Sequence, residues 1–249
     1  VEAGLVLAAR AIDAKTNEIP EIPAILDMLH LQGCIVTLDA MGCQKAIVEK
    51  ITKDHQADYI IALKGNQGQL YTYVKDHFGY ADAHHPRLLN GTYDRHEQIG
   101  KPRGVVERRI CEVVEMPSGF ANLRDEGWAG LRSMVRIQYA QKQDDLWVTT
   151  QTRYYITSLG ANAQQIQRAV REHWHVENKC HRVLDVTFRQ DDSRIRAGHS
   201  PENFAMLQHI ALALLKQHPK PISIRRKRKQ AARNDTLRWE IFSGITSST

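Results

Sequence analysis

The residues best suited to chemistry lie close together around residue 177. Apolar residues at helical spacing predict one helix over residues 163–184. On that helix His173, Glu177 and His181 follow one another at intervals of four residues, so they share one face, and Trp174 flanks it. A carboxylate beside apolar side chains is costly to bury without a partner. Glu177 is therefore either a surface acid beside histidines or a ligand for a metal ion.

A second acid stands at the end of an apolar run. The Ile-Val-Thr-Leu sequence of residues 35–38 predicts a buried strand, and Asp39 and Gly42 follow it. In open α/β sheets, ligands bind at the carboxyl ends of the strands. An Asp at a strand end and a Glu on a later helix make half of a two-metal nuclease site, whose ions lie about 3.5–4 Å apart.

Six motifs occur in order along the chain and carry a family resemblance. They are Asn-Glu-Ile-Pro at 17–20, Thr-Leu-Asp-Ala-Met-Gly-Cys-Gln-Lys at 37–45, Ala-Leu-Lys-Gly-Asn-Gln-Gly at 62–68, Tyr-Tyr-Ile-Thr-Ser at 154–158, His-Trp-His-Val-Glu-Asn-Lys at 173–179 and Leu-Asp-Val-Thr-Phe at 184–188. Together they resemble the H-repeat-associated transposases of bacterial insertion sequences. The resemblance covers nearly the whole chain.

That family is similar to the DDE transposases, so the resemblance implies a ribonuclease H-like α/β fold with a mixed sheet and flanking helices. It also implies DNA transposition, in which DNA strands are cut and transferred with Mg²⁺ or Mn²⁺ as cofactor. By the same comparison Asp39 is the second and Glu177 the third of three metal-binding catalytic acids. His173, Trp174 and His181 then support the Glu177 helix.

The first acid of the resembled family lies in a strand that contains Asp-Gly-Lys and precedes the 17–20 motif. This sequence has no such strand, and Asp13 matches a linker acid of the family rather than the catalytic one. We therefore expect an N-terminally truncated core that lacks its first strand or strands, with little or no transposition by this chain alone. The alternative is a non-catalytic DNA-binding remnant of a transposase.

The order of patterns predicts four parts. Alternating strands and helices over residues 1–78 predict the first part of the core, which begins with a strand over 4–12 and includes a buried strand over 58–63. Residues 79–161 are interpreted as a β-rich insertion, residues 162–218 as the helical C-terminal part of the core, and residues 219–249 as a basic tail. Within the insertion we predict a loop over 79–99, strands over 105–114, 133–139 and 146–156, and a hairpin loop over 141–145. Within the helical part, a helix from residue 200 is predicted to dock on the core through an apolar stripe of Phe204, Leu207, Ile210, Ala211, Leu214 and Leu215.

The net charge of +6 is unevenly distributed. Seven basic residues and no acid lie between Lys220 and Arg233, and the rest of the chain has 27 basic and 28 acidic residues. Such a cluster suits sequence-independent contacts with DNA phosphates, and the alternative is a solvated, disordered end. The predicted DNA-binding residues are Lys64, Asn66, Lys179, Arg225, Arg226, Lys227, Arg228 and Lys229.

Composition excludes several other classes of protein. The four cysteines show no regular spacing, which argues against a disulfide framework and fits a reducing cytoplasm. No apolar run approaches the roughly 18 residues of a membrane helix. The predicted partners are insertion-sequence ends and target DNA, and the resembled family also suggests a homo-oligomer.

Overall fold

The computed structural model describes residues 19–84, 92–116, 127–176 and 180–244. They fall into two compact units, one within Ala14–Arg171 and one whose described part begins at Glu172. The strand predicted over residues 4–12 lies outside the described residues.

The first unit is built on a six-stranded mixed sheet. Its elements are α1 (Glu21–Asp27), β1 (Ile35–Leu38), α2 (Lys45–Glu49, continued by a π-helical turn, Lys50–Asp54), β2 (Asp58–Leu63), α3 (Gly68–His84), β3 (Tyr93–Gly100), β4 (Glu107–Glu115), β5 (Ser133–Gln143), β6 (Leu146–Thr157) and α4 (Ala163–Val176), whose last turn belongs to the second unit. The strand order is β1-β2-β6-β5-β4-β3. β1 and β2 are parallel because α2 connects them as a crossover, and the other neighbours are antiparallel. The predicted mixed α/β class is confirmed.

One face of the sheet packs against α2 and α3. Tyr59, Ile61 and Leu63 alternate along β2 and are at most 2% exposed. They join Ile47 of α2 and Phe78 of α3 in the main hydrophobic core. Burial on this scale fixes β1 and β2 relative to one another, so the edge of the sheet at their carboxyl ends is a rigid platform.

The opposite face of the sheet packs against α4. Ile166 and Val170 of this helix are buried. The Asp94 carboxylate of β3 accepts a hydrogen bond from the Ala163 backbone N–H at 2.7 Å, which caps the first turn of the helix. The Gln167 side chain donates to the Arg109 carbonyl of β4 at 3.3 Å. These contacts hold α4 against β3 and β4.

A buried arginine ties α3 to the sheet. Arg136 of β5 is 4% exposed, and its Nε donates to Glu112 Oε2 at 2.7 Å. Its terminal nitrogens donate to both Asp82 carboxylate oxygens at 2.5 and 2.7 Å, and its Cζ lies 4.9 Å from the centre of the Phe78 ring. The Tyr93 hydroxyl donates to Glu112 Oε1 at 3.0 Å. Burial opposes the charge of Arg136, but the carboxylates of Asp82 and Glu112 outweigh it and hold the guanidinium pKa above its ordinary value.

The β5–β6 connection is shorter than the loop predicted over 141–145. Gln143 pairs with Leu146, which leaves a two-residue turn. Asp144 and Asp145 both have positive φ, at 46° and 65°, as a type I′ turn requires. The two strands therefore extend almost to the tip of the hairpin.

The loop predicted over residues 79–99 is wrong at both of its described ends. α3 continues to His84, and β3 occupies Tyr93–Gly100. β3 is the last strand in the described order and pairs with β4 over eight residues. Its polar sequence suits such a strand, because side chains there face water and local propensity is overruled by pairing.

The strands of the predicted insertion belong to the same sheet as β1 and β2. β6 pairs directly with β2, and β5, β4 and β3 follow in order. The division of the chain at residues 78, 161 and 218 remains a prediction.

The second unit is helical and includes most of the predicted tail. Its elements are a π-helical turn (Leu184–Phe188), α5 (Ser200–Gln217), α6 (Ile224–Ala231) and α7 (Asp235–Ser243). Leu215 of α5 packs with Leu237 and Ile241 of α7 in a buried cluster. The disordered-end alternative is therefore wrong over α6 and α7, because this cluster supplies burial that a solvated end lacks. The assignment of residues 219–249 as a basic tail remains a prediction.

The apolar stripe predicted to dock α5 is buried only at its C-terminal end. Phe204, Leu207 and Ile210 are 39%, 62% and 48% exposed. Leu215 is buried and packs against α7, and Leu212, which was not in the predicted stripe, packs against the turn after residue 183. Burial is therefore as predicted at Leu215, and the prediction is wrong for Phe204, Leu207 and Ile210.

Candidate active site

Asp39 lies at the carboxyl edge of the sheet. It follows the last residue of β1, and its side chain is exposed. β1 and β2 are parallel, with Leu38 paired to Ile61, so the chain leaves β2 at the same edge and reaches Lys64. Lys64 is exposed as well. The edge therefore presents a carboxylate and a cation on neighbouring strands, in the position where open α/β sheets bind ligands.

The loop after β1 fixes the orientation of the Asp39 carboxylate. Its Oδ1 accepts hydrogen bonds from the backbone N–H of Met41 at 3.0 Å and of Gly42 at 3.3 Å. Gly42 leaves no room for a larger residue, because a Cβ there would lie 3.0 Å from Leu38 Cβ and Cδ1. The carboxylate is thus held by its own turn, a local bonding pattern typical of Asp.

Two side chains from the turn after β2 brace this loop. Asn66 Nδ2 donates to the Ala40 carbonyl at 2.7 Å, and Gln67 Nε2 donates to the Cys43 carbonyl at 2.7 Å. Asn66 is exposed, so its predicted DNA contact remains a prediction, and its amide also holds the Asp39 loop. Neither the role of Gln67 nor the packing role of Gly42 was predicted from the sequence. A sequence signal was present, because Gln67 and Gly42 each lie in a motif that follows the end of a strand.

The chemistry of Asp39 fits a divalent cation. Carboxylate oxygens are the ligands that Mg²⁺ prefers, and Oδ1 is already oriented. Within residues 19–84, 92–116, 127–176 and 180–244, no group of three or more His, Cys, Asp or Glu side chains could hold a metal ion. Glu177 and Lys179 lie outside the described residues, so their predicted roles remain predictions.

The residues predicted to support Glu177 lie on either side of it. His173 and Trp174 stand in the last turn of α4, with ring centres 6.3 Å apart in an edge-to-face arrangement. His181 is exposed and lies near His209. Burial lowers the pKa of His209, and the charge of His181 lowers it further. The supporting role of His173, Trp174 and His181 remains a prediction.

The basic residues of α6 divide into two groups. Arg225, Arg226, Arg228 and Lys229 are exposed. Lys227 is 5% exposed, and its Nζ donates to the Leu215 carbonyl at 3.0 Å and to the His218 carbonyl. The prediction that Lys227 contacts DNA is therefore wrong, because its ammonium group is enclosed. Arg228 donates to the Thr187 carbonyl and lies 5.0 Å from the centre of the Phe188 ring, so its guanidinium is partly engaged.

A mixed sheet with helices on both faces and an aspartate at its carboxyl edge is the arrangement of a ribonuclease H-like domain. The chain belongs to the family of transposase DDE domains: the family model with that description matches residues 1–214. The predicted family is thereby confirmed.

Curated relatives carry consistent names. The H repeat-associated putative transposase YhhI of Escherichia coli K12 is 35% identical over 246 residues, which is 96% of this chain and 63% of the relative. The putative transposase YncI of Escherichia coli O157:H7 is 37% identical over 251 residues, or 98% and 62%. The putative protein YbfL of Escherichia coli K12 is 36% identical over 96% and 63%. The chain thus spans less than two thirds of the length of these relatives. Among the described helices, none is long and apolar enough to cross a membrane.

Proposed function

We propose that the chain forms part of a DNA transposase that cuts and transfers the DNA of an insertion sequence. Membership of the transposase DDE domain family supports this proposal, as do the names of the relatives. The observation that carries it is Asp39, an exposed carboxylate held by two backbone amides at the carboxyl edge of the parallel β1–β2 pair.

We further propose Mg²⁺ or Mn²⁺ as the cofactor, with Asp39 and Glu177 as its catalytic ligands. A bound divalent cation polarises a phosphodiester and activates water for in-line attack. The chain's own contribution is orientation. The turn at residues 39–42 fixes Asp39 Oδ1, and the amides of Asn66 and Gln67 hold that turn against the neighbouring strand end.

Exposed cations are proposed to bind the DNA substrate. Lys64 stands beside Asp39 at the sheet edge, and Arg225, Arg226 and Lys229 lie on α6. Their contacts with phosphates would be insensitive to sequence and sensitive to salt. The proposed partners are insertion-sequence ends, target DNA and further copies of the chain, in the cytoplasm where such DNA lies.

Metal binding tests the proposal directly. Titration of the full chain with Mn²⁺, followed by electron paramagnetic resonance, should show that Asp39→Asn and Glu177→Gln each weaken binding at least about tenfold, or about 1.4 kcal/mol. Asp54→Asn is the matched control, because Asp54 is exposed and pairs with Lys50 at 3.6 Å. Unchanged Mn²⁺ affinity in both site variants would overturn the metal centre.

The second candidate function is a non-catalytic DNA-binding remnant. The exposed arginines of α6 favour it. It predicts equal DNA affinity with Mg²⁺ and with a chelator, and no nicking of a supercoiled plasmid. Nicking that requires Mg²⁺ and is abolished by Asp39→Asn would exclude it.

A further inference from the structure

Three arginines converge on one tyrosine, away from Asp39. Tyr139 lies on β5, and the Cζ atoms of Arg109 on β4 and Arg153 on β6 lie 5.7 and 5.9 Å from its ring centre. Arg171 of α4 adds a third guanidinium that acts electrostatically on the same tyrosine. Burial raises the pKa of Tyr139, and the charges of Arg153, Arg109 and Arg171 oppose that rise.

The surrounding contacts orient these guanidiniums. Arg171 donates to Gln98 Oε1 at 3.0 Å, and Gln98 is paired with Arg109 in the β3–β4 register. A neutral amide positions Arg171 without cancelling its charge. Arg109 also pairs with Glu107 at 3.1 Å, and both side chains are 27% exposed. The group thus lies on the α4 side of the sheet and is accessible to solvent.

The spacing favours an extended anion. Arg109 and Arg153 stand on strands separated by β5, and neighbouring strands lie about 4.8 Å apart, so their backbones are about 10 Å apart. Guanidinium groups carried by strands that far apart can each contact a different phosphate of a nucleic-acid strand. Guanidinium groups also match phosphate in geometry, because two parallel N–H donors meet two oxygens.

We propose that Arg109, Arg153 and Arg171, gathered around Tyr139, bind successive phosphates of a DNA backbone. This inference rests on the proposed function in one respect, namely that DNA is the partner. It adds a binding surface on the face of the sheet that packs against α4, whereas Asp39 lies at the carboxyl edge of β1.

Fluorescence anisotropy of the full chain with a labelled duplex of about two helical turns tests the surface. Arg109→Gln, Arg153→Gln and Arg171→Gln should each weaken binding about threefold to tenfold near 50 mM salt. Each should also reduce the slope of log affinity against log salt by about 1. Arg95→Gln is the matched control, because Arg95 lies on the opposite face of β3 and pairs with Glu97 at 2.6 Å. It should stay within about twofold of wild type.

The outcomes separate this inference from the proposed function. If the duplex binds and the three variants match wild type, the surface is wrong while the transposase proposal stands. If wild type binds no DNA at all, both fail. Competition with inorganic phosphate is a further test. If the site binds several phosphates of one DNA strand, inorganic phosphate should displace the duplex only at high concentration. The variants could instead lose saturable binding of inorganic phosphate while their DNA affinity stays unchanged. That result would overturn the DNA surface and indicate a site for a small anion.

Circular dichroism checks that each variant is folded. Arg171→Gln is the variant least expected to disturb the fold, because Arg171 is exposed on a helix.

Discussion

At the scale of single residues, the Asp39 carboxylate owes its orientation to its neighbours in the chain. Two backbone amides hold Oδ1, and the second oxygen retains its capacity as a ligand. The close approach of Gly42 to Leu38 keeps the turn tight against the end of β1. The Asp39 side chain is held by its own turn at the edge of a rigid sheet. It therefore loses little conformational entropy when it binds a cation, and this favours the affinity for the cation.

The buried Arg136 depends on its two carboxylate partners. Glu112→Gln removes the charge that faces Arg136 Nε while preserving size. We expect a loss of about 3 kcal/mol in the free energy of unfolding, because the guanidinium keeps only Asp82 as a counter-charge. Urea denaturation followed by tryptophan fluorescence measures it.

The control is Glu97→Gln, which removes a carboxylate from a partly exposed pair with Arg95 on the same sheet. It should cost no more than about 1 kcal/mol. Equal losses in the free energy of unfolding in the two variants would mean that the buried Arg136–Glu112 pair stabilises the fold no more than a surface ion pair does.

The candidate site could be predicted from sequence only where chemistry and local pattern coincide. Asp39 follows an apolar strand and lies within a motif, so both its place at a strand end and its candidate role could be predicted. Gln67 was not, because its role is to reach a carbonyl of a loop 24 residues away, and no local pattern reports that contact. Lys227 was misassigned for a related reason: a run of five basic residues gives no sign that one of them points inward.

At the scale of elements, helix α6 is joined to α5 through Lys227. The ammonium caps two carbonyls at the C-terminal end of α5, where the helix dipole favours a cation. Burial lowers the pKa of Lys227. The unfolded chain therefore binds the proton more tightly, and the stability of the unit should rise as pH increases towards the unfolded value of 10.5.

Removing that cap should loosen the second unit. Lys227→Met fills similar space but leaves the Leu215 and His218 carbonyls without their donor. We expect a cost of about 1–3 kcal/mol at neutral pH. Protection of α6 amides in hydrogen exchange measures it, and Arg226→Met, an exposed neighbour, should change protection by less than about 0.5 kcal/mol. Unaltered protection in Lys227→Met would show that the buried ammonium is dispensable.

The bounds of a helix or strand could be predicted where its own sequence carries the pattern of burial. β2 was predicted with its observed bounds, because its apolar run is buried along its length. β3 was missed, since its polar side chains acquire a strand conformation only by pairing with β4. The buried face of α5 was only partly predicted, because the helix is apolar on more than one side and tertiary packing selects between the sides.

At the scale of the whole molecule, charge is concentrated in one helix and its flanks. Without the seven basic residues between Lys220 and Arg233, the chain has 27 basic and 28 acidic residues. We therefore expect long-range attraction to a polyanion to depend strongly on α6 and its flanks.

Neutralising the exposed cations of α6 tests that expectation. We expect the combined change Arg225→Gln, Arg226→Gln and Lys229→Gln to lower the slope of log affinity against log salt by about 2 to 3, because each lost phosphate contact contributes about 0.9. Lys227 stays in place, so the fold of the unit is preserved. The control triple is Lys53→Gln, Arg95→Gln and Arg132→Gln, all in exposed ion pairs of the first unit. It removes the same charge from other places. Equal losses in the two triples would show that net charge alone attracts DNA; a loss confined to the α6 triple locates the attraction in that helix.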